Sequence, residues 1–424
     1  MESAPIRPRA KHPNAPRLRR AIGRLALAVA AVVGVAGSFA LMTGSRSLGP
    51  QTIGEATPSA GTASEGPVVP GHEVYGFVPY WEIDATIADH LRTTDATTVA
   101  LFSVTHTARG DLATTQTGYR RISGPIGRQI IADAHRLGRR VDVTWTSFGQ
   151  PKNDALFASE ALQERVIASL VALVVDLDVD GIAVDVEAID EADIPAYRLF
   201  VGRLRAALRA ADPVATVTAT AGAGPHGAAL ALAATLGGAD RIFLMGYDYR
   251  TASSEPGASA PISRRDGEPR SLGWSLDLYA AAGVPAARTL LGLPLYGLTW
   301  PTGAADIGSP KTGRGDIWVP RRNLATLRDP AATVSYDPIE DVAFLAVHHG
   351  TAWQAVYYDS PRSLRPKLGL ANDHGLAGAG FWALGYERGL PDYTDLIAAF
   401  RAGASMSVAS AGVPGTGDRA RIGR

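Results

Sequence analysis

The chain has 424 residues, 46% of them hydrophobic, which suits one large single-core domain with tails. It contains no cysteine, which excludes disulfides, thiolate zinc sites and a cysteine nucleophile. Basic and acidic residues number 41 each, but residues 1–24 hold seven of the bases and one acid, Glu2. The other 34 bases and 40 acids leave the body acidic, without bulk attraction for nucleic acid.

The basic segment 1–24 precedes Leu25 to Met42, an uncharged run of mainly Ala, Val and Leu that approaches the span of a bilayer core. The positive-inside rule puts residues 1–24 in the cytoplasm and everything after Thr43 outside. Uncleaved, residues 25–42 are a single-pass transmembrane anchor, the preferred reading; cleavage after Ser38-Phe39-Ala40 would instead give a secreted protein. Residues 43–70, rich in Gly, Ser, Thr and Pro, read as a flexible linker to a domain over 71–401.

Within that domain, β-branched runs alternate with helical patterns. The predicted strands are Val74–Tyr80, Thr98–Thr105, Arg140–Thr146, Gly181–Val186, Ala215–Thr220, Arg241–Met245, Thr289–Leu295 and Gly378–Ala383. Ala192–Ala211 shows the clearest helical spacing, through Ile194, Tyr197, Phe200, Val201, Leu204 and Leu208. Eight βα units point to an α/β fold, a (β/α)8 TIM barrel, with chemistry at the C-terminal strand ends; a doubly wound sheet is the alternative. Between strands seven and eight, Val342–Val347 and Gln354–Tyr358 predict a short hairpin-bearing insertion over the barrel mouth. Residues 402–424 have no apolar period and read as a disordered tail.

Strand four is the most informative. In Asp180-Gly-Ile-Ala183-Val-Asp185-Val-Glu187 acidic and apolar residues alternate, so Asp185 and Glu187 project to one face. A carboxylic acid with a second carboxylate beside it suits acid catalysis, because like-charge repulsion raises the acid's pKa. Asp190 suits the plainer role of capping the next helix.

The octapeptide resembles the DxxDxDxE signature of family 18 glycoside hydrolases, chitinases and their relatives. Met245-Gly-Tyr247-Asp248 looks like that family's sixth-strand motif, and Gly292-Leu-Pro-Leu-Tyr296-Gly297 its seventh. Phe381-Trp382 falls where the family has its eighth-strand tryptophan, and Ser147-Phe-Gly149-Gln150 is similar to a third-strand motif. Ala183, Val186 and Gln150 depart from the pattern; Ala183 removes a carboxylate that would share a proton with Asp185.

The resemblance implies a retaining, substrate-assisted glycosidase acting on N-acetylglucosamine-containing polysaccharide, chitin or peptidoglycan, as a monomer without cofactor or metal. Glu187 would be the acid, Asp185 would orient the substrate's acetamide and stabilise the positive charge, and Tyr247 would hydrogen-bond the acetamide oxygen. Asp180, Asp248, Tyr296, Trp382, Tyr80 and Trp145 are the expected substrate-binding residues, with Trp382 as the pocket floor; Trp81 and Trp300 stand at other strand ends. A catalytically silent carbohydrate-binding member of the fold is the alternative.

Two patterns are read as decoys. Gly222-Ala-Gly224-Pro-His-Gly227 fits a dinucleotide loop, with Asp240 as the ribose acid, but Pro225 removes a backbone donor and the loop lies in mid-series. His348 and His349 would point to opposite faces of a strand and could not chelate one metal together.

Overall fold

The computed structural model describes residues 71–329, 334–349 and 352–406. The expected basic segment 1–24, the apolar run 25–42 and the linker 43–70 lie outside these, as does most of the expected tail. Among the described residues no helix is long and apolar enough to cross a membrane.

Seven barrel strands run in sequence: β1 Glu73–Pro79, β2 Thr98–Thr105, β3 Arg140–Phe148, β4 Gly181–Glu187, β5 Thr216–Gly222, β6 Arg241–Met245 and β7 Thr289–Pro294. An insertion follows, holding β8 Gly297–Thr302, β9 Asp316–Trp318, β10 Val334–Asp337, β11 Val342–His349 and β12 Ala352–Tyr358. Then β13, Gly378–Trp382, closes the barrel between β7 and β1. Its strands are parallel, with helices such as Glu160–Leu177 and Ile194–Ala211 between them. This is the (β/α)8 barrel expected from the alternating pattern.

Strand alternation divides the apolar residues into two clusters. One side packs on the helices: Trp145 of β3, for example, lies against Phe200 at 5.2 Å. The other fills the barrel with Tyr75, Phe77, Ala100, Phe102, Ala183, Phe243 and Leu290. Phe77 and Phe243 meet edge to face at 4.9 Å, and glycines on β7 and β13 leave room for the Phe243 ring. A polar pair lies in the same interior, where the Tyr75 hydroxyl donates to Asp142 at 2.8 Å.

The insertion is larger than the hairpin read from sequence. β11 and β12 do pair antiparallel, but they form the middle of a five-stranded sheet ordered β10-β11-β12-β8-β9. The added strands are short or follow β7 directly, so no period of useful length marks them. At the other end of the domain Met406, assigned to the tail, is buried in the core.

The tight fit around Phe243 is testable. A methyl at Gly380 would come within 2.4 Å of the Phe243 ring and 2.7 Å of the Tyr75 carbonyl oxygen. Gly380→Ala should therefore cost about 1–3 kcal/mol of unfolding free energy in denaturant titration. Gly273→Ala, in the helix Leu272–Ala282 with nothing within 4 Å of the added methyl, should be neutral or gain up to about 1 kcal/mol. Equal effects at both positions would contradict the packing described.

Candidate active site

β4 delivers the two carboxyls. Val186 turns outward into the helix-facing core, which sends Asp185 and Glu187 inward. Asp185 is 4% exposed, and its carboxylate accepts a hydrogen bond from Thr220 Oγ1 of β5 at 2.5 Å. Glu187 is half-buried at the strand end. Beyond it Ala188 has φ of 59°, a left-handed conformation that strains a non-glycine residue. Asn153 holds that turn: its Nδ2 donates to the carbonyls of Glu187 at 2.6 Å and Ala188 at 3.1 Å, and its Oδ1 accepts from Ser147 at 2.7 Å.

Tyr247 and Asp248 follow β6. Asp248 also has a positive φ, 59°, and its N–H donates to Ser259 Oγ at 3.1 Å. Its carboxylate accepts a short hydrogen bond from the hydroxyl of Tyr296, which follows β7. The Tyr247 and Tyr296 rings meet edge to face at 6.2 Å. Trp382, at the end of β13, stands edge to face against Phe102 at 4.7 Å and packs against Phe77 and Trp81. Tyr80, in the turn after β1, lines a polar cavity of about 280 Å³ with Ser103, Thr105, Gln116 and Thr146.

The electrostatics follow from crowding acids where water is scarce. Burial raises the Asp185 carboxyl to about 6, opposed only by the Thr220 hydrogen bond. Burial raises Glu187 further, to about 8, with Asp185 and then Asp248 adding like-charge repulsion. Burial raises Asp248 as well, against its hydrogen bonds from Tyr296 and Ser259. Glu187, which faces two other acids, thus keeps its proton to higher pH than Asp185 does. Burial and the same carboxylates push the Tyr247 hydroxyl well above its ordinary range, so it remains a donor.

Asp185, Glu187, Tyr247, Asp248, Tyr296, Trp382 and Tyr80 thus stand at the C-terminal ends of barrel strands, with Trp81 beside them. Two expected residues, Asp180 and Trp145, do not join them, and neither does Trp300. Asp180 precedes β4 and lies roughly 23 Å along the strand from Glu187. Its carboxylate accepts from the Val141 N–H at 2.7 Å and lies 2.9 Å from His135 Nε2, tying strand ends at the far side of the barrel. Trp145 faces outward and is fully buried, and Trp300 is buried against Tyr357. Asp190 makes no helix cap and accepts instead from Gln150 at 2.7 Å. In the glycine-rich decoy, Asp240 accepts from Arg209 at 2.8 Å and from the Val217 N–H at 2.9 Å, before β6 rather than at its C-terminal end.

Sequence reasoning missed Thr220, Asn153 and Ser259. Thr220 left a signal, since Thr216, Thr218 and Thr220 alternate along β5 and must share a face. Asn153 and Ser259 left none, because their bonds depend on how loops fold.

Asp248→Asn removes one like charge from Glu187 and retains an acceptor for Tyr296, and asparagine tolerates the positive φ. Glu187 should therefore lose its proton at lower pH, read by carbon-13 NMR of labelled carboxyls. An unshifted Glu187 titration would show that Asp248 does not act on it.

The glycosyl hydrolases family 18 model matches residues 128–387, more than half of the chain. Endochitinase 1 of Metarhizium robertsii is 29% identical over 164 residues, covering 36% of this chain and 37% of that protein. A protein described as a sporulation-specific glycosylase of Bacillus subtilis is 26% identical over 212 residues, covering 48% of this chain and 46% of its own. The chain therefore spans less than half the length of these two relatives. Among solved structures, the Ostrinia furnacalis Group IV chitinase in complex with allosamidin superposes with a TM-score of 0.67 at 17% identity, over 78% of this chain and 100% of that one. The Bacillus cereus spore cortex-lytic enzyme SleL gives 0.63 at 17% identity, over 78% and 74%. These two share the fold. With the family match spanning most of the barrel, and paired carboxyls at the end of its fourth strand, the chain belongs to the glycosyl hydrolases of family 18.

Proposed function

We propose that this chain is a retaining, substrate-assisted glycosidase that cleaves β-1,4 bonds next to N-acetylglucosamine in chitin or peptidoglycan. The observation that carries the reading is the buried Asp185–Glu187 pair, in which burial and neighbouring acids leave the proton on Glu187 at neutral pH. The names of the relatives, an endochitinase and a sporulation glycosylase, agree with it. A catalytically silent carbohydrate binder is not favoured, because Glu187, Asp185 and Tyr247 are all present at the strand ends.

Family 18 is a substrate-assisted exception to the two-carboxylate scheme. Glu187 protonates the glycosidic oxygen as its bond to the anomeric carbon breaks. The carbonyl oxygen of the substrate's own 2-acetamido group bonds to that carbon and forms an oxazolinium ion. Asp185 orients the acetamide and stabilises the cation, and the Tyr247 hydroxyl donates to the acetamide oxygen. Water, losing a proton to Glu187, then opens the ring with retention. Trp382 offers its indole face to the sugar's C–H face. No cofactor takes part.

Glu187→Gln retains shape but has no proton to give, so turnover should fall by roughly 100-fold or more without loss of folding. The acid works only when protonated, so kcat/KM should decline as pH rises through about 8. Removing the N-acetyl group should lower kcat rather than only raise KM, leaving fully deacetylated oligomers essentially uncleaved. Proton NMR of the first product should show the retained anomer. An inverted product, or full activity in Glu187→Gln, would overturn the mechanism.

We place the enzyme's work outside the cytoplasm, from the basic flank and apolar run of residues 1–42. A reporter fused at the C-terminal end should be active only on the outer side. N-terminal sequencing of the mature protein separates a retained anchor from a cleaved signal, and reporter activity confined to the cytoplasm would refute both.

A further inference from the structure

Glu187 is the last residue of β4, and the barrel supports its main chain from one side only. β4 pairs with β3 as far as Glu187, opposite Phe148, but with β5 only as far as Val184. The carbonyl of Glu187 takes its hydrogen bonds from beyond the ladder, from the Gly149 N–H at 3.3 Å and from Asn153 Nδ2 at 2.6 Å. The same Nδ2 donates to the Ala188 carbonyl at 3.1 Å. Gly149 ends β3 with φ of 94° and opens the helix Gln150–Phe157, so the turn after β3 reaches across to the end of β4.

The orientation of that amide is fixed. Two carbonyls demand its NH2 end, so Asn153 Oδ1 faces Ser147 and accepts from the hydroxyl at 2.7 Å. Asn153 and Ser147 are both fully buried, and Asn153 therefore touches no substrate. Ser147 is in register with Val186, whose side chain faces the helices, so the brace grips β4 from behind while the Glu187 side chain projects inward. What it holds is a conformation that non-glycine residues avoid, the φ of 59° at Ala188. Such strain persists only where the neighbours over-determine it.

We propose that Asn153 is a positioning residue for the acid step: with Ser147 it fixes the main chain of Glu187, so that the carboxyl meets the glycosidic oxygen. Proton transfer requires the two heavy atoms within hydrogen-bond reach, and a misplacement of about 1 Å can cost roughly 100-fold in rate. Asn153 and Ser147 neither bind the sugar nor react with it, so their loss should be felt where the proton matters and little elsewhere. This rests on the glycosidase reading and adds to it the device that aims its acid.

The test sets a leaving group that needs the proton against one that does not. For the full chain, kcat/KM is measured on N-acetylglucosamine hexamer and on the 2,4-dinitrophenyl glycoside of the dimer, whose phenolate departs without an acid. Asn153→Leu keeps the volume but donates nothing. It should lower kcat/KM on the hexamer by roughly 10- to 100-fold and on the aryl glycoside by less than about threefold. Ser147→Ala frees the amide to turn and should give the same split to a smaller extent; it carries the test if the Leu variant does not fold. Equal losses on both probes, as general damage to the site would give, or no loss on the hexamer overturn the proposal. If the wild type cleaves neither probe, the glycosidase reading fails, and carbon-13 NMR of the labelled Glu187 carboxyl decides the rest. A signal displaced in either variant upholds the positioning of Glu187, and one unmoved in both overturns it.

Discussion

Asp185, Glu187 and Asp248 are crowded into one buried corner of the barrel mouth, and like charges in a poorly solvated space cannot all be ionised. A proton must remain, and geometry decides where. Asp185 has the Thr220 hydroxyl to support its charge, Asp248 has the Tyr296 hydroxyl, which itself accepts from Ser259, and Glu187 faces both acids. The neighbours' hydrogen bonds thus leave Glu187 as the proton donor, a role its own side chain does not encode.

That arrangement depends on distant parts of the fold. The long loop after β6 carries Asp248 and Ser259, and it is clamped to the insertion through Glu340, which is 1% exposed. Glu340 accepts from Arg250 at 2.8 Å and from the N–H groups of Ala258 at 2.6 Å and Arg265 at 3.0 Å. A second contact, Arg265 to Asp337 at 2.6 Å, pins the same segment to the end of β10. A buried ion pair contributes little net stability once desolvation is subtracted, but it fixes register strongly because either partner alone is costly. The insertion sheet thus helps hold the loop that presents an acid to Glu187.

The departures from the family pattern have separate physical outcomes. Ala183 sits fully buried in the barrel interior among Phe77, Phe243 and Leu290, where a carboxylate would need a partner. The interior carboxyl is instead Asp142 on β3, bonded to Tyr75 and to Thr218. Val186 faces the helices and joins their core, as its place between two inward acids requires. Gln150 turns away to Asp190, which fastens the loop after β3 to the one after β4.

The eight barrel strands and the inward pair Asp185–Glu187 were legible in the sequence because both depend on local periodicity. Alternation puts residues two apart on one face, whatever the strand packs against. The closing of the sheet, the depth of each acid and the identity of its hydrogen-bond donor come from elements tens to hundreds of residues apart. Trp145 and Asp180 show the boundary. Each lies in or beside a correctly read strand, yet side and end are tertiary facts: Trp145 faces a helix, and Asp180 lies at the end of β4 away from the chemistry. The insertion sheet was half legible for the same reason, since β11 and β12 are long enough to show a pattern while β9 and β10 exist only through pairing. Sequence alone determined which residues share a strand face; only the tertiary structure decided which of them meet, because burial and proton affinity belong to the assembled site.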